Sequence, residues 1–148
     1  MTTSSGKLSS GEDCTGKPRG ARLAHVGLAV SSSAEQAALF RDVLCLPAVP
    51  VHDSDGAKIS AFQAGEALVE LLEPESAESP VGRFIARRGP GIHHLCFEVP
   101  DLASALDRCR AAGIELVDEV PRVGAEGKRI AFLHPRSTGG ILLELREA

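Results

Sequence analysis

Four residues with ligand chemistry interrupt runs that are otherwise apolar. They are His25 in Ala24-His25-Val26, Glu70 in Val69-Glu70-Leu71, His94 in His94-Leu95-Cys96, and Glu144 in Leu143-Glu144-Leu145. Two imidazoles and two carboxylates form a mixed N/O donor set. With open positions for substrate, such a set suits divalent Co, Ni, Mn, Zn or Fe. Taken singly, a His or Glu on a strand is ordinarily solvent-facing or hydrogen-bonded and does no chemistry. The pairing is what points to a metal centre: one His and one Glu recur at matching places in each half of the chain.

Strands must position these groups. Side chains alternate faces along a strand. Across residues 23–30, His25 therefore shares a face with the small Gly27 and Ala29, while Val26, Leu28 and Val30 take the other face. Across residues 93–99, His94 shares a face with Cys96 and Glu98, and Leu95 and Phe97 point to the core. Glu144 lies opposite Leu143 and Leu145. By the same alternation His93 points away from His94, which makes it a packed or hydrogen-bonded histidine rather than a ligand. His52 sits in a polar loop and is expected to be solvated.

The rest of the pattern repeats. After the first strand, Ser33 with Gln36 reads as a capping box opening a helix. Ala37, Phe40 and Leu44 fall on one face of it, and Pro47 and Pro50 end it. Strands follow over residues 57–64 and 67–72, joined by a turn at Gly65-Glu66. Ser79-Pro80 opens a short helix that stops at Gly89. In the second half Asp101 caps a helix whose inner face carries Leu102, Ala105, Leu106, Cys109 and Ala112, with Gly113 as the terminating glycine. Strands are expected at 115–118, 128–134 and 141–146. The fold class is therefore α+β: two βαβββ repeats, about 21–90 and 91–148, forming one curled sheet around a shared metal-binding cleft.

Length and composition agree with one domain over residues 21–148. The chain has 148 residues, of which 43% are hydrophobic, enough for a core and too many for a disordered chain. Residues 1–20, rich in Ser, Thr, Gly and Lys, read as a disordered tail. The net charge of −4, with both signs interspersed, argues against a nucleic-acid surface. No run is long enough to span a membrane, and the first residues lack a signal-peptide core. The four cysteines, at 14, 45, 96 and 109, form no C-x-x-C pair. They read as reduced thiols of a cytoplasmic protein.

One loop has two readings. In His134-Pro135-Arg136-Ser137-Thr138-Gly139-Gly140, the hydroxyls and backbone N–H groups of Ser137, Thr138 and Gly139 could receive an anionic oxygen of a substrate. The same composition also suits a plain turn with Gly for positive φ.

Five segments carry a family resemblance: His25-Val26-Gly27-Leu28-Ala29-Val30, Val69-Glu70-Leu71-Leu72-Glu73-Pro74, Gly91-Ile92-His93-His94, Phe132-Leu133-His134-Pro135 and Gly139-Gly140-Ile141-Leu142-Leu143-Glu144-Leu145. Together they resemble methylmalonyl-CoA epimerases, within the vicinal oxygen chelate superfamily, over about residues 22–147. The resemblance implies interconversion of the two epimers at C2 of methylmalonyl-CoA, with an acyl-CoA as substrate. It also implies a divalent metal ion, commonly cobalt, a homodimer, and His25, Glu70, His94 and Glu144 as the ligands. The C2 proton lies between a thioester and a carboxylate. Its removal gives an enolate whose charge a chelating metal stabilises, and a carboxylate moves the proton.

The chain departs from the family at one point. Some members carry a glutamate base on the second strand of the first half, with Gln at the position of Glu70. Aligned on Gly56, that base position is Ile59. The base is therefore not simply carried over, and Glu70, Glu144 or both could combine ligation with proton transfer. The superfamily holds two rival functions, a glyoxalase acting on a glutathione hemithioacetal and a metal-free drug-binding protein. Arg87, Arg88, Lys128, Arg129 and Arg136 are candidates for CoA phosphates, set against ordinary solvated surface charge.

Overall fold

A computed structural model describes residues 20–148; the expected tail, apart from Gly20, and Cys14 lie outside the described residues. The described chain runs β1 (Arg22–Ala29), α1 (Ser33–Ala38), a π-helical turn (Leu39–Val43), β2 (Ala48–Val49), β3 (Ala57–Ala64), β4 (Ala67–Pro74) and α2 (Pro80–Arg88). The second half follows as β5 (Gly91–Val99), α3 (Leu102–Ala111), β6 (Arg122–Val123), β7 (Arg129–Leu133), a 3₁₀ turn (Pro135–Ser137) and β8 (Leu142–Glu147).

These strands form one sheet in the order β2-β3-β4-β1-β5-β8-β7-β6. Within each half the first strand lies parallel to the last, β1 to β4 and β5 to β8. The halves meet where β1 and β5 pair antiparallel. Two βαβββ units are thus joined side by side, and the four strands at the centre are the four that carry His25, Glu70, His94 and Glu144.

Helices α1 and α3 each cover the outer face of their own half. Under α3, Leu102, Leu106 and Ala131 are wholly or almost wholly buried with Leu133 and Leu145. Under α1, Ala37, Phe40 and Leu46 pack on Val30, Phe62 and Leu71. Burying a side chain such as Leu71 or Leu102 contributes about 1.5–3 kcal/mol. Helix α2 lies elsewhere: Val81, with Phe84 and Ile85, packs against Ala29, Ala57 and Leu72. Ala29 and Leu72 share faces with His25 and Glu70, so α2 closes one side of the inner face.

Several local expectations shift. The first helix is capped by Ser32, whose hydroxyl accepts from the Glu35 N–H, and not by Ser33. Ser33 instead gives its N–H and hydroxyl to the Glu73 carboxylate, tying the helix start to β4. The π-helical turn rotates Leu44 off the packed stripe, leaving it 52% exposed. Residues 115–118 make an isolated bridge, Leu116 to Leu133, in place of a strand. The Ser79 and Asp101 caps, and the positive φ of Gly65, Gly89 and Gly113, are as expected. Among the described residues, Cys45, Cys96 and Cys109 are free thiols.

Candidate metal centre

The site follows from strand register. Gly27 of β1 stands beside Glu70 of β4 on one side and His94 of β5 on the other. His25 pairs with Cys96, which pairs in turn with Glu144 of β8. The four side chains converge on the inner face of the sheet. His25 Nε2 lies 2.9 Å from His94 Nε2. It lies 3.6 Å from an oxygen of Glu70 and 3.6 Å from one of Glu144, and His94 Nε2 is 3.4 Å from the same Glu144 oxygen. All four residues are buried.

These spacings fit a single ion. Donor atoms about 2.1 Å from a metal stand about 3.0–3.4 Å apart in octahedral or tetrahedral geometry. Two buried carboxylates drawn together without a cation would be costly. Burial itself raises the Glu70 carboxyl above its usual range; Glu144 adds to the rise, and His25 opposes it. Burial also depresses His94, to about 3, and lowers His93. Both imidazoles are therefore neutral near pH 7. A neutral imidazole has a lone pair to give, with no proton to displace.

Steric fit at His94 is tight. A Cβ on Gly27 would lie 2.4 Å from His94 Cε1 and 2.6 Å from its Nδ1. The glycine in His25-Val26-Gly27 is thus required by the imidazole stacked against it. The ring of Phe132 stands edge-on to His94, with centroids 6.0 Å apart.

The surrounding cleft, of about 270 Å³, is lined by the four residues and by Val81, Pro80, Ile59, Leu72, Phe132 and Leu142. Arg122, Lys128 and Arg146 supply cationic lining. Arg122 lies over Phe132, 5.4 Å from its ring centre. Of the basic residues considered for CoA, only Lys128 lines this cleft; Arg87, Arg88, Arg129 and Arg136 do not. Ile59, at the family's base position, is part of the wall and cannot move a proton.

The 134–140 loop is not brought to the cleft. Ser137 Oγ accepts from the Glu115 N–H. The Thr138 hydroxyl turns to the carbonyls of His134, Pro135 and Ile141. Gly139 and Gly140 have φ of 75° and 90°, as turn glycines do. Ser137, Thr138 and Gly139 thus take the form of an ordinary turn.

Strand alternation fails for two side chains, each time at a bulge. On β5, His94 pairs with Gly27 but Ile92 pairs with Leu28, so His93 is an extra residue without a partner. A bulge re-aims side chains, and His93 joins His94 in lining the cleft instead of pointing away. On β1 a second shift lies between Leu23 and His25. It turns Arg22 onto the inner face, where it bonds Glu98. Cys96 is wholly buried beside His25 and Glu144, and burial raises its thiol far above the usual range, so it stays protonated.

A family model described as the Glyoxalase/Bleomycin resistance protein/Dioxygenase superfamily matches residues 24–132. The ethylmalonyl-CoA/methylmalonyl-CoA epimerase of Cereibacter sphaeroides is 35% identical, over 85% of this chain and 97% of its own. The mitochondrial methylmalonyl-CoA epimerase of Dictyostelium discoideum is 33% identical, over 99% of this chain and 90% of its own. The crystal structure of methylmalonyl-CoA epimerase from Mycobacterium tuberculosis superposes with a TM-score of 0.78 at 33% identity, covering 84% of this chain and 86% of that one. A methylmalonyl-CoA epimerase solved with methylmalonyl-CoA and NH4+ gives 0.80 at 27% identity, covering 86% and 94%. Superposition, similarity over most of the chain and the family match agree: the chain belongs to the glyoxalase/bleomycin resistance protein/dioxygenase superfamily and, within it, to the methylmalonyl-CoA epimerases.

Proposed function

We propose that this protein interconverts (2R)- and (2S)-methylmalonyl-CoA by removing and returning the C2 proton through an enolate. The observation that carries this reading is the convergence of His25, Glu70, His94 and Glu144 at the centre of the cleft. A divalent ion held by those four residues would supply positive charge beside the thioester oxygen, where negative charge develops.

The chain's own groups do the rest. Glu70 and Glu144 come from equivalent strands of the two halves and flank the cluster from opposite sides of the β1–β5 pair. In this reading each carboxylate serves one face of a planar enolate, as inversion requires. Glu70, as a carboxylate beside the ion, would accept the C2 proton directly. Val81, Leu72 and Phe132 keep the reacting carbon from bulk water. Arg122 and Lys128 line the cleft and would meet anionic groups of the acyl-CoA.

The catalytic unit in this reading is residues 21–148, with halves meeting near residue 90. The reading also takes cobalt as the ion, a homodimer as the assembly and the cytoplasm as the location, the last against the mitochondrial name of the Dictyostelium relative. Ser137, Thr138 and Gly139 stay in it only as contacts for parts of the CoA beyond the cleft.

The test is to give the cobalt-loaded protein pure (2R)-methylmalonyl-CoA and resolve the epimers over time. An equal mixture of epimers is the expected end point. A single unchanged epimer, together with turnover of a glutathione hemithioacetal by the same sample, would replace this reading with glyoxalase chemistry.

A further inference from the structure

We propose that His93 is a positioning residue for His94, accepting the hydrogen bond that leaves His94 Nε2 free to ligate. This inference rests on the metal-centre reading above. His93 Nδ1 lies 2.9 Å from His94 Nδ1, so one of these nitrogens carries the proton and the other accepts it. The choice is forced by the far side of His94. Its Nε2 points at His25 Nε2 and the Glu144 carboxylate, where a ligand needs a bare lone pair. A neutral imidazole has one N–H, so His94 keeps its proton on Nδ1 and donates it to His93. The proton of His93 then sits on Nε2.

Three features make this contact specific. The bulge at His93 brings two successive side chains to one face, which regular strand alternation forbids. The His93 ring is itself held edge-on against Phe84 of α2, with centroids 5.0 Å apart. The His94 ring is also closed in by Gly27, where even a Cβ would collide with the imidazole. His94 is therefore fixed in position by the glycine and in tautomer by its neighbour. His25 has no equivalent support: its Nδ1 is buried without a hydrogen-bond partner among the described residues. A ligating histidine usually donates its second N–H to a carboxylate, carbonyl or water, and loss of that partner costs about 10–100-fold in metal affinity. Here a second histidine takes that place.

The experiment compares the wild type with His93→Asn and His93→Leu. Cobalt affinity is measured by competition with a chromophoric chelator, and the thermal stability of the metal-free proteins is recorded alongside. Asn offers a carbonyl oxygen near the place of Nδ1; Leu offers none. His93→Leu is expected to bind cobalt about 10–100-fold more weakly, with His93→Asn recovering most of that loss. Leu and wild type binding cobalt equally would overturn the assignment. So would Asn and Leu losing affinity equally, because the hydrogen bond would then not be the cause. A direct readout needs no variant: long-range ¹H–¹⁵N correlation of the histidines in the zinc-loaded wild type. A protonated Nδ1 on His94 supports the proposal, and a proton on its Nε2 overturns it. Wild type that binds neither ion would instead remove the metal centre, and this inference with it.

Discussion

Glu70 and Glu144 occupy equivalent places, but the proton chemistry at the residue scale is most exposed at Glu70. Burial lifts its carboxyl, and the neighbouring Glu144 adds to the rise. Glu70→Gln separates ligation from proton transfer, because an amide oxygen can still bind an ion but cannot readily take a proton. The variant should keep one cobalt per chain while epimerisation falls by about 100-fold or more, the usual worth of a positioned base. One epimer, the one whose proton faces Glu144, should still exchange deuterium into C2 without inversion. Epimerisation at the wild-type rate by metal-replete Glu70→Gln would make Glu70 a ligand only. The four converging residues were legible in the sequence because period-two alternation places each against apolar neighbours. His93 was not legible. A bulge leaves no trace in the alternation of Ile92, His93 and His94, and only the register with Gly27 and Leu28 reveals it.

At the scale of elements, the bulge on β1 has a consequence for stability. It turns Arg22 inward to meet Glu98 of β5, which Lys128 and Arg146 also reach, at 2.8, 3.3 and 2.8 Å respectively. One buried carboxylate therefore ties together β1, β5, β8 and the start of β7. Desolvation is the largest single influence on Glu98 and pushes its carboxyl up, but the hydrogen bonds from Arg22, Arg146 and Lys128 together outweigh it and bring it down to about 2. A carboxyl whose folded value lies below its unfolded value stabilises the fold above the unfolded value, and that contribution fades as pH falls through the folded one. Denaturant titrations of wild type and Glu98→Gln should thus differ at pH 7, converge as pH drops below about 4.5, and meet near pH 2. A constant difference across that range would mean that the charge on Glu98 contributes nothing. The sequence placed Glu98 on the His94 face, yet its partners come from bulge and register and were not foreseeable. The Ser33 cap failed for a related reason. Two adjacent serines can each cap a helix, and the long-range pull of Glu73 on Ser33 leaves the role to Ser32. Residues 115–118 have strand-like composition, but they pair at only one point, on the far side of β7.

At the scale of the whole molecule, the repeat is what makes a cleft. Each half contributes one His and one Glu, and the antiparallel β1–β5 seam brings the pairs face to face. That symmetry was readable because His25 with Glu70 and His94 with Glu144 recur at similar spacing. The place of α2 was not readable, since nothing in residues 80–88 says which face of the sheet they will cover. In the proposed reaction, an ion bound across the two halves enables loss of the C2 proton. This is tested by stripping the protein with chelator, titrating cobalt back, and following replacement of the C2 proton of methylmalonyl-CoA by deuterium in D₂O, beside His94→Ala treated identically. Stripped protein should show negligible exchange, the rate should rise with cobalt and level off at one ion per chain, and His94→Ala should show little metal or exchange. Full-rate exchange by the stripped wild type, or full metal occupancy and exchange in His94→Ala, would contradict it.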